Sequence, residues 1–216
     1  GYRAGFGLFM VPMSEAREWG RDVFGLALAV QNLSWGVCAI LAGALADKYG
    51  NLRVLLGGVT LYAIGMLGMS LSSTETQIVS TAGLLVGAGI AGTSFGIVLP
   101  SIARAVPEEK RARALGIGTA AGSFGQFLVV PVIASVVDLV GWMHAMQYLG
   151  LSAFLMALLC IPLSKFAGAN DTARADPDAS MSLKDIALKA CSIQSYRLLV
   201  FGFFVCGFHV AFITVH

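Results

Sequence analysis

The sequence is short of charged residues. Only 12% of its 216 residues are Asp, Glu, Lys or Arg, whereas roughly a quarter of a typical soluble domain is charged. A chain with so little charge cannot cover a water-facing surface, and this composition excludes an ordinary soluble domain. The formal net charge of +2 says little by itself, and no nucleic-acid partner is expected.

Cysteine pairs at metal-ligand spacing are also missing. The four cysteines are scattered, and none forms a CxxC motif: Cys38, Cys160, Cys191 and Cys206. No cluster of His, Asp, Glu or Cys stands at catalytic spacing either. The sequence therefore predicts no metal site, no cofactor and no disulfide framework, and it does not favour an enzyme.

The chain has hydrophobic runs of membrane length instead. Hydrophobic residues make up 57% of it, and the mean hydropathy is +0.80. About 20 apolar residues in helical form span a hydrocarbon core of ~30 Å. The first and last apolar segments are interpreted as truncated. The seven segments lie near 1–14, 24–46, 54–73, 78–102, 114–137, 143–164 and 197–216.

Basic residues alternate between the loops. Only Arg17 and Arg21 lie between the first two segments. The loops after segments two, four and six carry the remaining basic residues of the connecting regions: Lys48, Arg53, Arg104, Lys110, Arg111, Arg113, Lys165, Arg174, Lys184, Lys189 and Arg197. The positive-inside rule then places the N-terminus and the central linker in the cytoplasm. We expect a multi-pass protein of the cell (inner or plasma) membrane.

The expected fold is an all-α membrane protein. Residues 1–165 are predicted to form a six-helix transmembrane bundle whose first helix is truncated. Residues 166–195 read as a cytoplasmic linker with a short amphipathic helix, for which Ser182 is a candidate N-cap. Residues 196–216 would begin a C-terminal bundle. This layout predicts the N-terminal half of a 12-helix transporter, plus the start of a seventh helix, monomeric when complete.

Glycine and other small residues recur at four-residue spacing within the spans, as in Gly83, Gly87 and Ala91. Such stripes let helices approach closely in a membrane. Two strings, at 87–92 and 116–121, match the glycine pattern of a dinucleotide site. Such a site needs a preceding strand, and both strings lie in membrane-length runs, so nucleotide binding is not expected.

Arg3 is the leading candidate for a substrate-binding residue. If its helix continues upstream, Arg3 lies near the middle of the bilayer, where an arginine costs about 2.5–3.5 kcal/mol and needs a partner or a wet cavity. Its planar set of donors suits a carboxylate. Alternatively, the helix begins near Gly1 and Arg3 reaches the cytoplasmic interface.

Mid-helix amides complete the candidate site. Gln31 and Asn32 lie in the second span, Thr93 and Ser94 in the fourth and Gln126 in the fifth. Helices 1, 2, 4 and 5 are therefore expected to line a cavity, and helices 3 and 6 to support it from outside. Each amide either contacts substrate or forms an interhelical hydrogen bond. His209 in the last span either binds an anion or packs between helices.

The loop after the second span, residues 43–53, reads GALADKYGNLR. It resembles the signature of the cytoplasmic 2–3 loop of the major facilitator superfamily, except that Asn51 stands where a basic residue is usual. The resemblance implies a loop that latches the two halves of the transporter in the outward-open state. The gating residues implied are Gly43, Asp47, Lys48, Gly50 and Arg53.

A resemblance to bacterial members near the oxalate/formate antiporter and monocarboxylate transporter groups lies in residues 2–9 with Pro12, in Gly36 and in residues 202–209. This resemblance implies organic anions as substrates, with Arg3 at the position of the first-helix arginine of those groups. Together, these features predict secondary active transport of mono- or dicarboxylates by alternating access. The protein would be an antiporter or symporter in the lipid bilayer, with a proton or counter-substrate as second partner.

Two alternatives stay open. A drug or hydrophobic-compound efflux transporter of the same superfamily would be favoured by an acidic residue deep in a span, and none is evident. A membrane-embedded sensor or enzyme domain belongs to another class. A sensor would need a sizeable soluble output domain, and an enzyme would need facing catalytic residues.

Overall fold

The computed structural model describes residues 2–167 and 183–215, and these residues are almost entirely helical, with no strand among them. The chain divides into two compact units, Gly1–Asn170 and Asp171–His216. The predicted all-α class is confirmed. No strand precedes either glycine string in the described residues.

Six helical segments form the first unit, beginning with a short 3₁₀ turn at Tyr2–Gly5. Glycine at position 141 has φ 79° and ψ 161°, a conformation that side chains disfavour, and it bends one long helical element, Glu108–Ala167, into two arms. The helices are α1 (Gly7–Arg17), α2 (Arg21–Tyr49), α3 (Asn51–Leu71), α4 (Glu75–Ala105), α5 (108–140) and α6 (142–167).

Helix α4 is not a uniform α-helix, although its sequence predicts one continuous span. Residues Val79–Leu85 are π-helical, and the backbone of Ser94 is extended, with ψ 164°. The extended Ser94 separates Val86–Gly92 from Phe95–Ala105. The pattern of apolar residues predicts neither interruption, because the sequence is hydrophobic on both sides of each one.

Four helical stretches of the described chain are long and apolar enough to cross a membrane. They are α2, α3, α4 and Glu108–Leu158, which contains the Gly141 bend. Helix α1 has 11 residues and is too short to span a bilayer by itself. Membrane-length helices are therefore confirmed, whereas the count of six spans stays a prediction.

Close backbone approaches bring α3 and α4 together at the centre of the unit. A Cβ added to Gly58 of α3 would lie 2.8 Å from the Cα of Gly92, and one added to Gly89 would lie 2.6 Å from the backbone nitrogen of Tyr62. Helix α6 packs on α3 through Gly150. The small residues of α4 therefore allow the close helix contact that their four-residue spacing predicts.

The described residues of the second unit form α7 (Leu183–Ser192) and α8 (Gln194–Val215). Helix α7 is amphipathic and coincides with the short helix predicted in the linker. The candidate N-cap Ser182 and the rest of 168–182 lie outside the described residues. The predicted domain boundaries at 165 and 195 stay predictions.

Candidate functional site

Arg3 lies in the 3₁₀ turn that precedes α1, and its side chain is half-buried. The turn is pressed against α5, because a Cβ added to Gly5 would lie 2.5 Å from the Cδ1 atom of Ile133. Ile133 is itself buried. Packing of Gly5 on Ile133 therefore fixes where the backbone of Arg3 sits.

Two side chains of α2 hold the Arg3 guanidinium. Its Nη2 donates a hydrogen bond of 2.6 Å to Oδ1 of Asn32, and its Cζ lies 4.8 Å from the centre of the Trp35 ring. Asn32 and Trp35 are three residues apart and share one face of the helix. Tyr62 of α3 lies close enough to interact electrostatically with the same group.

None of these contacts neutralises Arg3. Asn32 is a neutral acceptor, a ring face attracts a cation only weakly, and no acidic side chain of the described residues forms an ion pair with the guanidinium. Within that part of the chain, the Asn32 bond uses one of the five N–H donors of arginine. In the described residues, the guanidinium is therefore an oriented positive charge with one hydrogen bond and no carboxylate partner.

Gln31, another predicted substrate ligand, is fully buried. Its Nε2 donates a hydrogen bond of 2.8 Å to the backbone oxygen of Ala82 in α4. This bond ties two helices together, which is the packing alternative considered for each amide. Substrate binding by Gln31 stays a prediction that no described contact supports.

Gln126 forms no hydrogen bond with Arg3 in the described part of the chain, and His209 belongs to the second unit. Gln126 is exposed on α5. His209 is exposed on α8, in the second unit, and its Nδ1 lies 2.9 Å from the backbone oxygen of Val205. Both residues stay predictions as substrate ligands.

The predicted gating loop is a single-residue turn between α2 and α3. Gly50 has φ 86°, which favours glycine, and its N–H donates to the oxygen of Ala46 at 2.9 Å. Gly43 is half-buried on α2, about two helical turns before Gly50. Asp47, Lys48 and Arg53 are exposed around the turn. Three charged side chains are thus exposed around this turn, and the gating role of the loop stays a prediction.

One buried polar pair near this loop was not predicted. Asn51 donates a hydrogen bond of 2.5 Å from its Nδ2 to Oγ of Ser101, and that hydroxyl donates to the oxygen of Ile97 at 2.8 Å. The pair connects the start of α3 to the second part of α4. Its sequence signal was Asn51 itself, the residue that departs from the usual basic residue of the signature.

No group of three or more metal-binding side chains occurs in the described residues. The four cysteines are free.

The sequence profile of the Major Facilitator Superfamily matches residues 2–216. The MFS-type transporter YcxA of Bacillus subtilis is 24% identical over 100% of this chain and 52% of its own length. "Probable anion transporter 3, chloroplastic" of Arabidopsis thaliana is 28% identical over 66% of this chain and 28% of its own length. "Multidrug resistance protein Stp" of Mycobacterium tuberculosis is 34% identical over 57% of this chain and 23% of its own length.

The chain spans about half or less of the length of these relatives. The family match, by contrast, extends over nearly the whole chain. It agrees with the membrane-length helices and with the charged turn between α2 and α3. This protein belongs to the major facilitator superfamily, a family of multi-pass membrane transporters.

Proposed function

We propose that this chain supplies the first six helices of a secondary transporter that moves small organic anions by alternating access. The observation that supports this proposal most directly is the Arg3 guanidinium, which is half-buried and held by Asn32 and Trp35 without an acidic partner in the described residues. A positive charge kept in place in this way is suited to bind a negatively charged solute.

The physical reason lies in the cost of an uncompensated charge in a membrane. A central arginine costs about 2.5–3.5 kcal/mol on insertion scales, so such residues pair with one another or mark a substrate path. A carboxylate accepts two parallel N–H bonds from guanidinium. The Trp35 ring and the Asn32 oxygen restrict rotation of the group, which lowers the entropy lost when the anion binds.

The exposed charges of the loop between α2 and α3 support the alternating-access part of the proposal. Asp47, Lys48 and Arg53 stand at one end of the first unit. In the proposed transporter this end and the linker face the cytoplasm of a cell (inner or plasma) membrane, and the loop docks on the second bundle to close the cytoplasmic entrance. A proton or a counter-substrate drives the cycle.

Drug efflux is the second candidate, favoured by the 34% identity with the multidrug resistance protein Stp. The relatives named as anion transporters favour the first candidate. The two candidate functions predict opposite effects of Arg3, because a cationic drug is repelled by the same charge that attracts a carboxylate.

The test uses the full-length transporter in proteoliposomes with a panel of radiolabelled mono- and dicarboxylates, with either a pH gradient or internal carboxylate as the driving force. Arg3→Gln should lower kcat/KM for uptake by about 100-fold or more. Arg3→Lys keeps the positive charge but loses the planar set of donors, and it should lower kcat/KM about tenfold. Arg113→Gln, at an exposed arginine of α5, is the matched control and should leave uptake unchanged.

Unchanged carboxylate uptake by Arg3→Gln would contradict the proposed role of Arg3. Wild-type vesicles that transport no carboxylate but extrude a lipophilic cation such as tetraphenylphosphonium would support the efflux candidate instead. Exchange and symport are distinguished in the same vesicles, because only exchange requires carboxylate on both sides.

A further inference from the structure

A cavity of about 400 Å³ lies beside the turn between α1 and α2. Neither of the α2 side chains that hold Arg3 lines it. Helix α2 begins at Arg21 and has 29 residues, whereas about 20 helical residues are enough to cross the hydrocarbon core of a bilayer. The start of α2, and with it the cavity, therefore lies at the membrane surface, where the hydrocarbon core meets the headgroups.

Charged side chains of both signs line this cavity: the carboxylates of Glu15 and Glu18 and the guanidinium of Arg21. All three are exposed, and none of them forms an ion pair with another described residue. Opposite charges that share a cavity without contacting each other can each bind the opposite charge of a zwitterion. The excess of one negative charge disfavours an anion, so the ligand that fits must carry a positive group.

The backbone of Glu18 places its carboxylate at the cavity at an energetic cost. Its φ of 56° and ψ of 31° are left-handed, and it is the one non-glycine residue of the described chain with a positive φ. Helices commonly end with glycine in this conformation, because a side chain strains it. The N–H groups of Glu18 and Trp19 both donate to the backbone oxygen of Ser14, so the turn would form with glycine as well. A strained residue that the turn does not need indicates a role for its side chain.

The other end of the cavity is apolar. Met10 and Val11 line it about two turns of α1 before Glu18, and Val11 is 55% exposed. Helix α1 runs alongside α2, because the turn that contains Arg3 precedes α1 and contacts the middle of α2. Trp19 lines the charged end, and tryptophan is enriched where a membrane meets water. A ligand that fills the cavity therefore needs a charged group at the membrane surface and an apolar chain that points into the membrane.

We propose that this cavity binds one phospholipid of the phosphatidylethanolamine type. Its ammonium group donates hydrogen bonds to Glu15 and Glu18, its phosphate faces Arg21, and one acyl chain lies along Val11. Hydrogen bonds between charged groups are the strong ones, and a primary ammonium has three N–H donors. The quaternary ammonium of choline has no N–H donor, and a phosphatidylglycerol headgroup has no positive charge. The site therefore selects ethanolamine over both other headgroups.

The test measures lipid binding to the full-length transporter in detergent by native mass spectrometry, and it needs no transport substrate. Its outcome is therefore independent of the proposed anion transport. Phosphatidylethanolamine, phosphatidylcholine and phosphatidylglycerol with identical acyl chains are titrated, and the Kd values for the first bound lipid are compared. We expect phosphatidylethanolamine to bind about fivefold more tightly than phosphatidylcholine, through its charge-assisted hydrogen bonds. The Glu15→Gln, Glu18→Gln double variant should bind these two lipids equally.

Two single variants separate loss of the carboxylate from loss of the fold. Glu18→Gly removes the carboxylate and the backbone strain together, so it should weaken the preference for ethanolamine while the thermal midpoint stays equal or rises. Glu75→Gln is the matched control, because it removes an exposed carboxylate in the first turn of α4, outside the cavity. It should leave the preference unchanged.

Equal Kd values for phosphatidylethanolamine and phosphatidylcholine in the wild type would overturn the proposal, as would a preference that survives in the double variant. Glycerophosphoethanolamine, which has the headgroup without acyl chains, distinguishes a lipid from a soluble zwitterion. It should not displace the lipid at equal concentration. Displacement at equal concentration would show that the apolar end of the cavity contributes nothing to binding, and it would overturn the assignment to a lipid.

Discussion

Helices α3 and α5 are both apolar and of membrane length, yet they are buried to very different extents. Half of the most apolar stretch of α3 is buried within the structure. In Glu108–Leu158, which contains α5, only 6% of the most apolar stretch is buried. In α5 several large apolar side chains face outward, with Phe127 73% and Leu139 82% exposed, although Ile133 is buried. Hydrophobicity therefore places a helix in the membrane but does not decide which helix becomes the centre of the bundle.

The two helices differ in what their glycines contact. A Cβ on Gly58 of α3 would meet the backbone of Gly92, whereas a Cβ on Gly125 of α5 would meet nothing within 4 Å. In lipid there is no hydrophobic gain from bringing two apolar helices together, so close packing supplies the attraction. A central helix is one whose glycines face the backbone of a neighbour.

Breaking this contact should have the largest effect. In Gly58→Leu the new side chain must displace the Gly92 Cα, 2.8 Å from the added Cβ, and overpacking of this kind costs about 1–3 kcal/mol or more. We expect most of the protein to be lost from the monodisperse peak in detergent chromatography and a clearly lowered thermal midpoint.

Gly57→Leu and Gly125→Leu serve as controls for that change. Neither glycine has an atom within 4 Å of an added Cβ, and both substitutions increase helix propensity equally. If Gly58→Leu behaved like the two controls, glycine contact would not be what distinguishes α3 from α5.

Removal of the buried Asn51–Ser101 hydrogen bond should have an intermediate effect. Asn51→Ala deletes the 2.5 Å bond between α3 and the second part of α4, and loss of a buried partner costs about 1–3 kcal/mol. The measurement is the thermal midpoint of Asn51→Ala, Ser101→Ala and the double variant. Strictly additive effects would show that the two side chains do not stabilise each other.

The smallest effect is expected on α5. Ser135→Ala removes an exposed hydroxyl that bonds at 3.0 Å to the Pro131 oxygen of its own helix. Exposed substitutions of this kind change stability by less than about 0.5 kcal/mol. A loss as large as that of Asn51→Ala, in the same melting experiment, would mean that this face of α5 is packed rather than open.

Several local features could be predicted from the sequence. The apolar runs locate the helices to within a few residues, and the loop residues around Gly50 give both a tight turn and a family signature. The Gly141 bend was predicted only as a loop between the fifth and sixth segments. It is a single residue wide because glycine alone reaches φ 79° without strain.

The sequence indicated individual candidate residues of the site but not which of them contact one another. Asn32 was expected near the substrate and contacts Arg3, whereas Trp35, equally close, went unnoticed because an aromatic residue in an apolar helix carries no signal of its own. Gln31 has the same chemistry as Asn32 and lies next to it. A turn of about 100° around the helix is enough to point Gln31 at α4 instead of at Arg3.

The sequence by itself determined that this chain forms membrane-length helices with charged turns, since burial in lipid depends on the composition of each run and not on its neighbours. Only the tertiary structure decided which polar groups meet. Arg3 and Asn32 are 29 positions apart, and Gln31 and Ala82 are 51 apart. Their pairing depends on how glycine surfaces dock, which is a property of two helices together and of neither alone.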